Sequence, residues 1–250
     1  MAANIDLDAE AILEILRSAQ AHDDVDPGEG LRERKKRRLR QQISDTATAL
    51  FLAHGFEQVT VAQIAATCEV SEQTLFNYFP TKESMFLDRS EGSADALLCA
   101  LRERDGRALT DIILGTLLDD VSFRRSQGTD ETAALRLFRL FCDTAERSPA
   151  LVAAQNADLM RFATVLAGAL AERVGADPED PEVQVAATVV IGLVRTKVRA
   201  TFRRVRDATS IAALDAAVRT DIERAARFVA PTLDAFDDLD PEKSSQHAPR

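Results

Sequence analysis

The chain has 250 residues, of which 46% are hydrophobic and 29% are charged, a balance that predicts a folded globular protein with a buried core. Its apolar runs are too short to cross a bilayer, so the sequence excludes an integral membrane protein and a membrane partner. The acidic N-terminus does not resemble a secretory signal, and we therefore expect a cytoplasmic protein.

The cysteines and histidines indicate neither a disulfide framework nor a metal site. The three cysteines are odd in number and far apart, and the three histidines have no second ligand at metal-binding spacing. These residues are Cys68, Cys99 and Cys142, and His22, His54 and His247. We expect reduced thiols, no metal and no cofactor.

Opposite charges are segregated at the start of the chain. Residues 1–30 carry eight acids against one base, a local charge of −7, whereas "LRERKKRRLR" at 31–40 carries seven bases against one acid, a local charge of +6. Because salt screens charges over roughly 8 Å, a polyanion responds to this basic run more than to the total charge. The net charge of −10 therefore does not exclude nucleic acid as a partner.

We assign residues 1–30 to an acidic extension and linker. A short amphipathic segment, "AEAILEILRS", places Ile12, Leu13 and Leu16 on one side. The following "HDDVDPGEG" combines acids, proline and glycines, as linkers do. This composition predicts an extension that is free to move.

Beyond residue 30 the apolar spacing predicts an all-α fold of about nine helices, because period-two strand patterns are missing. The first helix runs over 31–54 and ends at Gly55 in a left-handed cap. Thr60 and Gln63 form a capping box that begins a second, short helix. After a three-residue turn, Ser71 caps a third helix, which stops before Pro80.

Six further helices are predicted after the third. Their approximate ranges are 81–104, 107–122, 130–146, 149–174, 181–206 and 210–232. Ser148 and Asp180 each precede a proline, an arrangement typical of a helix start. We divide the chain into a DNA-binding domain at 31–80, a larger helical regulatory and dimerisation domain at 81–233, and a flexible acidic tail at 234–250.

The first three helices have the arrangement of a helix-turn-helix, in which the second helix of the pair enters the major groove of DNA. Leu75 and Phe79 lie four residues apart and are predicted to face the core. The residues left on the opposite face are Glu72, Gln73, Phe76 and Asn77. We predict base contacts from Glu72, Gln73, Thr74 and Phe76. We predict phosphate contacts from Thr60, Asn77, Tyr78, Lys82, Arg34, Lys35, Arg37 and Arg38.

These assignments follow from the chemistry of base edges and phosphates. Gln73 can pair with adenine, Glu72 can accept from cytosine, and Phe76 can pack against thymine methyl groups. The phosphate candidates are donors near helix ends or bases in the basic run. Two alternatives remain open, since the polar face is also typical of a solvated helix and the basic run of a solubilising or RNA-binding face.

The segment "TATALFLAHGFEQVTVAQIAATCEVSEQTLFNYFPTKESMF" resembles the N-terminal domain of the TetR-type (TetR/AcrR) transcriptional regulators. The resemblance covers 31 to about 88 and lies in the helix-ending glycine, the T-V-x-x-I-A run, the V-S turn and the Y-F-x-x-K-E close. It implies a helical homodimer whose second domain binds a small molecule and changes the spacing of two DNA-reading heads. The implied function is a repressor released from a palindromic operator by an unknown effector.

This chain departs from the family pattern at several DNA-facing positions. The family often has glycine or a basic residue in place of Gln73 and Glu72, and tyrosine in place of Phe76. Some members carry a base-reading arginine where this chain has Ala62. The loss of the tyrosine hydroxyl at Phe76 favours an apolar base contact over a phosphate contact.

In the second domain the last helix carries a dimer hypothesis. Its apolar residues repeat every three or four positions, and the resemblance favours a four-helix interface between subunits over packing within one subunit. The interface candidates are Ile211, Leu214, Val218, Ile222, Ala225 and Val229. A basic stripe at 195–206 is predicted to pair with Asp215, Asp221 or Glu223, while a ligand or nucleic-acid site there remains an alternative.

The effector would bind among helices 107–206, at a pocket lined by soft or apolar side chains, although most such residues are ordinary core. The candidates are Phe123, Phe138, Phe141, Cys142, Met160, Phe162 and Phe202. No phosphate loop, G-x-S-x-G elbow or nucleophile pairing is present, so we expect no enzyme. A helical protein-interaction module and a redox-sensing regulator without a small-molecule effector remain alternatives.

Overall fold

The structure is a computed structural model that describes residues 8–20, 30–88, 92–103, 106–119 and 130–239. All regular structure in these ranges is helical, which confirms the predicted all-α class. The helices are α1 Ala9–Gln20, α2 Leu31–His54, α3 Val61–Thr67, α4 Glu72–Tyr78, α5 Lys82–Leu87, α6 Gly92–Arg102, α7 Leu109–Asp119, α8 Glu131–Arg147, α9 Pro149–Val174, α10 Pro181–Val205 and α11 Ile211–Asp237. Within the described ranges, none of these helices has the length and apolar character needed to span a bilayer.

The chain divides into two compact units that do not follow the predicted boundary at residue 80. One unit consists of Met1–Ser90 with Ser122–Gln155, and the other of Glu91–Val121 with Asn156–Arg250. Helix α8 therefore belongs with the helix-turn-helix. The reason is aromatic packing, since Phe86 of α5 stacks on Phe141 of α8 with ring centroids 4.4 Å apart.

Helix α2 is the centre of the first unit. Its residues from Ile43 to Ala49 are all buried, because α1, α3, α5 and α8 pack around it. Its C-terminal end adds Phe51, whose ring lies 4.8 Å from that of Phe56. Gly55 ends the helix with a φ of +86°, which glycine adopts without strain.

The N-terminal extension contains an integral helix, so the expectation of free movement is wrong for residues 9–20. Ile12 and Leu16 of α1 are buried and Leu13 is half-buried, and α1 contacts α2 and α8. The apolar side recognised in the sequence thus packs on the helix-turn-helix domain. Residues 21–29, the predicted linker, lie outside the described ranges.

The single helix expected over 81–104 is two helices. Helix α5 ends at Leu87 and α6 begins at Gly92. Asp88 follows α5, and its carboxylate forms an ion pair with Arg40 of α2. This long-range contact and the low helix propensity of glycine favour an interruption that the apolar spacing alone did not indicate.

Helix α11 continues past the predicted end at 232, so the expected tail at 234–250 includes part of a helix. It passes through Pro231, which removes one backbone donor, but Leu233 and Phe236 are buried beyond it. Asp237 then accepts hydrogen bonds from the Leu109 amide at 2.9 Å and from Arg173 Nε at 2.6 Å. The last turn of α11 thus caps the first turn of α7.

Candidate DNA-binding surface

Helix α3 begins at the predicted capping box. The Thr60 hydroxyl oxygen accepts from the Gln63 amide at 3.2 Å, and the Thr60 amide donates to Gln63 Oε1 at 2.8 Å. Ile64 and Ala65 face the core. These local bonds fix the direction in which α3 leaves the loop after α2.

The turn between α3 and α4 is a Schellman motif without glycine. Glu69 has a φ of +57°, its amide donates to the Ala66 carbonyl at 3.2 Å, and the Val70 amide donates to the Ala65 carbonyl at 3.0 Å. A left-handed conformation is strained for a residue with a side chain. The turn orients α4 relative to α3 at the cost of that strain.

The face of α4 predicted to read bases is exposed. Ser71 caps the helix by accepting from the Thr74 amide at 3.1 Å, and Leu75 and Phe79 are fully buried. The residues exposed to solvent are Glu72, Gln73, Phe76 and Asn77, while Thr74 and Tyr78 are half-buried. Phe76 is 43% exposed and adds an aromatic ring to this otherwise polar face.

Two family models match the chain: that of bacterial regulatory proteins of the tetR family at residues 43–88, and that of the MftR C-terminal domain at 122–231. The HTH-type transcriptional regulator TcmR of Streptomyces glaucescens is 35% identical over 157 residues, which cover 61% of this chain and 68% of TcmR. The chain belongs to the TetR family. It is therefore a transcriptional regulator with a helix-turn-helix DNA-binding domain, as the resemblance implied.

Two other TetR-family proteins are also similar to this chain. MftR of Mycobacterium tuberculosis (strain ATCC 25618 / H37Rv), whose name refers to mycofactocin biosynthesis, is 37% identical over 59 residues, or 24% of this chain and 30% of MftR. A solved structure described as a TetR-family regulator from Mesorhizobium loti MAFF303099 is 20% identical with a TM-score of 0.43. It covers 78% of this chain and 98% of that one.

Lys82, in the TetR-type Y-F-x-x-K-E close, does not point into solvent. Its ammonium donates to the carbonyls of Phe56 at 2.9 Å and Val59 at 3.1 Å, and lies 4.3 Å from the centroid of the Phe56 ring. These carbonyls belong to the loop between α2 and α3, where no helix supplies donors. Two backbone carbonyls thus engage this ammonium, and the phosphate contact predicted for Lys82 stays a prediction.

The other phosphate candidates remain accessible in this TetR-family domain. Thr60 and Asn77 are exposed at the start of α3 and near the end of α4. In the basic run, Lys35, Arg37 and Arg38 are exposed, whereas Arg34 is half-buried with its Nε lacking a partner among the described residues. The exposed bases lie on the first turns of α2, in line with the predicted electrostatic role.

The predicted effector residues are divided between the two units. Phe123 lies outside the described ranges; Phe138, Phe141 and Cys142 belong to the first unit, and Met160, Phe162 and Phe202 to the second. Phe141 is engaged in stacking on Phe86, and Met160 is 58% exposed. Two surface clefts of about 310 and 390 Å³ lie in the first unit, and none of these residues lines them.

The predicted dimer interface is wrong in part, because its central residues are core of one subunit. Leu214, Val218 and Ile222 are buried within the subunit on α11, a helix that packs on α10 and α7. Ile211, Ala225 and Val229 are half-buried. The apolar repeat identified the buried side of α11, and the three half-buried residues stay candidates for the dimer interface.

The basic stripe of α10 forms the predicted ion pairs at its C-terminal end. Arg203 and Arg204 each donate to Asp221 Oδ2 at 2.8 Å, and Arg224 lies 3.4 Å from Oδ1. Hydrogen bonds from Arg204, and then from Arg203, lower the pKa of the buried Asp221 carboxyl to about 2 although burial opposes the shift. This part of the stripe stabilises the α10 and α11 pair.

The described cysteines are free thiols, of which Cys68 and Cys142 are buried and Cys99 is exposed. Cys68 is buried in the turn before α4, and burial raises the pKa of its thiol while a hydrogen bond with Thr46 and the charge of Arg17 oppose the shift. Because the thiolate is the reactive form, a raised pKa disfavours oxidation there. Within the described ranges, no three potential ligands cluster as a metal ion would require.

Proposed function

We propose that the protein is a homodimeric repressor that binds a near-palindromic operator and releases it when a small-molecule effector binds. The observation that carries this proposal is the exposed face of α4, where polar side chains and one aromatic ring project from a capped helix. These are the groups that base edges and thymine methyl groups contact in a major groove. The same reading makes the protein a regulator without catalytic activity.

Base readout is assigned to the exposed side chains of α4. Gln73 Nε2 donates to Asn77 Oδ1 at 3.3 Å, which orients the amide while leaving its oxygen and second N–H available for an adenine edge. Phe76 is positioned for thymine methyl groups and Glu72 for cytosine. Thr74 shares its hydroxyl with the Ser71 cap at 2.8 Å, so its base contact would compete with that bond.

Phosphate contacts are assigned to donors around this face and to the start of α2. They are Thr60, Asn77, Tyr78, Arg34, Lys35, Arg37 and Arg38. Such contacts position the protein on the duplex without reading sequence, and each contributes to the dependence of affinity on salt.

Dimerisation is assigned to the exposed sides of α10 and α11, with a second copy of this chain as the occupant. Val185 is 54% exposed and Phe228 is 87% exposed, and a side chain at Gly192 would meet open space within the subunit. Large exposed apolar groups beside small residues are typical of helix packing between subunits. The TetR family pairs through these two helices, which supports the assignment.

The dimer can be tested without DNA. Gly192→Arg and Phe228→Glu are both tolerated by the isolated subunit, because neither position contacts its core. We expect each variant to sediment as a monomer with unchanged helical content. Arg161→Glu on α9, exposed but outside this surface, is the control that should remain dimeric. Dimeric Gly192→Arg and Phe228→Glu would refute the assigned interface.

Operator binding can be tested by selecting bound duplexes from a random library and from genomic fragments. We expect a near-palindrome with half-sites about 34–36 Å apart, protected symmetrically in a footprint. Failure to enrich any sequence would contradict DNA-binding regulation. Release of the selected duplex by compounds from a metabolite collection then tests the effector, and reporter repression in cells distinguishes a repressor from an activator.

A further inference from the structure

Arg40, the last base of the run at 31–40, contacts the end of helix α4 rather than solvent alone. Its Nη1 donates to the Tyr78 carbonyl at 2.9 Å, and its Nη2 forms an ion pair with the Asp88 carboxylate. Its Cζ lies 4.5 Å from the centroid of the Phe79 ring. One guanidinium thus joins α2, the C-terminal end of α4 and the end of α5.

This contact meets a need of a short helix. Helix α4 has seven residues, too few to be stable without support at its ends. Ser71 supplies the N-terminal support, and the Tyr78 carbonyl is one of the last carbonyls that has no partner within the helix. A positive group at that end is favourable both as a hydrogen-bond donor and through the helix dipole.

The arrangement requires arginine in particular. The planar guanidinium presents separate N–H groups to the carbonyl and to the carboxylate while its face covers the Phe79 ring, and a lysine ammonium cannot make all three contacts. The Asp88 side chain is only 14% exposed, so its carboxylate is placed to hold the Arg40 guanidinium rather than to interact with solvent. The three contacts together restrict the tilt and rotation of α4.

We propose that Arg40 and Asp88 form a clamp that positions α4 for sequence reading, and that Arg40 is not one of the phosphate contacts of the basic run. Arg40 lies outside the segment at 43–88 that matches the family model. The inference rests on the proposed function, because the clamp matters for readout only if α4 reads DNA. A tilted α4 would move Gln73 and Phe76 off their bases while leaving the exposed charges in place.

Removing the Asp88 carboxylate is expected to change operator affinity in opposite directions if Arg40 is a clamp and if it is a direct phosphate contact. Removing an acid near DNA raises affinity if Arg40 binds phosphate, because the local charge becomes more positive. Removing the same acid lowers operator affinity if Asp88 holds Arg40 in place. The two roles also differ for lysine, which can replace arginine at a phosphate but not in the clamp.

The experiment uses the full chain and the duplex that the wild type selects, with a scrambled duplex of equal length. We expect Arg40→Lys and Asp88→Ala each to weaken operator binding about tenfold, the size of one charge-assisted hydrogen bond. Scrambled-duplex affinity and the salt dependence should stay at the wild-type values in Arg40→Lys, which keeps the charge, and scrambled-duplex affinity should not fall in Asp88→Ala, which removes an acid. The control Arg38→Met should weaken both duplexes and reduce the salt slope by about one.

Hydrogen exchange provides a measurement that does not depend on DNA. In Arg40→Lys the amides of Leu75 and Phe79 should exchange faster, while those of α3 stay protected. Stronger or unchanged operator binding by Asp88→Ala would overturn the clamp. An equal loss on both duplexes by Arg40→Lys, which indicates general unfolding, would also overturn it. A wild type that selects no sequence would instead refute the proposed function and, with it, the clamp's part in reading.

Discussion

Helices α4 and α11 both carry apolar residues every three or four positions, but the helices that cover their buried sides differ. Those around α4 are its neighbours in sequence, whereas α11 is also covered by a helix from far earlier in the chain. In α4 the buried residues Leu75 and Phe79 pack on the small domain that the adjacent helices form. In α11 the buried residues include Leu214 and Ile222, and this helix packs on α10 and on α7, which lies far earlier in the chain at 109–119. Periodicity locates a buried side, and only the fold determines what covers it.

The largest expected effect is a loss of stability caused by a substitution on the buried side of α11. Ile222→Ala should lower the free energy of unfolding by about 3 kcal/mol, because it leaves a cavity in the core of one subunit. The same loss should appear in the Gly192→Arg background. Phe228→Ala is the matched control, with an expected change below about 0.5 kcal/mol in that monomeric background. Chemical denaturation measures both free energies of unfolding. If Ile222→Ala destabilised the dimer but not the monomeric Gly192→Arg variant, Ile222 would belong to the dimer interface.

The second prediction concerns the loop that leads into α3 and α4. Lys82→Met should destabilise the protein by about 2 kcal/mol, since two buried carbonyl contacts lose a charged donor. Lys35→Met, on the exposed start of α2, should leave the melting temperature unchanged and reduce the salt slope of DNA binding. If the two lysines exchanged these behaviours, Lys82 would be a phosphate contact after all.

The third prediction uses the ion pairs between α10 and α11. The folded-state pKa of Asp221 lies near 2, below its unfolded value, so the carboxylate stabilises the protein above the unfolded pKa and this contribution is lost as pH falls. After allowance for solvent screening of the exposed arginines, we expect a loss of about 1–2 kcal/mol between roughly pH 5 and 2. Comparing Asp221→Asn with wild type over that range isolates the effect, and parallel pH curves would contradict it.

The smallest expected effect is a gain of stability in the α3–α4 turn. Glu69→Gly should raise the free energy of unfolding by about 0.5–1 kcal/mol, because glycine adopts a positive φ without strain. Gln58→Gly, in the loop before α3 without a positive φ, should lower stability instead. Equal changes for the two variants would show that the Glu69 backbone is unstrained.

Features set by neighbours in sequence were predictable. The caps at Thr60 and Ser71, and the start of α9 after Ser148, depend on side chains within three residues of the helix ends. The exposed face of α4 follows from the same local rules. These features include the residues now assigned to base contacts.

Features set by distant partners were not predictable. Lys82 contacts carbonyls 23 and 26 residues earlier, and Arg40 contacts the backbone 38 residues later. The sequence predicts a phosphate contact for Lys82 and places Arg40 in the basic run, because charge alone does not indicate whether a long side chain turns inward. The Asp237 cap on α7, 128 residues from Leu109, was missed for the same reason.

That cap has a consequence for synthesis of the chain on the ribosome. The first turn of α7 remains without its carboxylate until residue 237 has left the exit tunnel, and Arg173 waits for the same group. The second unit can therefore complete its fold only after residue 237 has been translated, which leaves its apolar helices exposed to chaperones until then. A premature stop shortly before Asp237 would yield a nascent protein that is prone to aggregate and is a good substrate for cellular proteases.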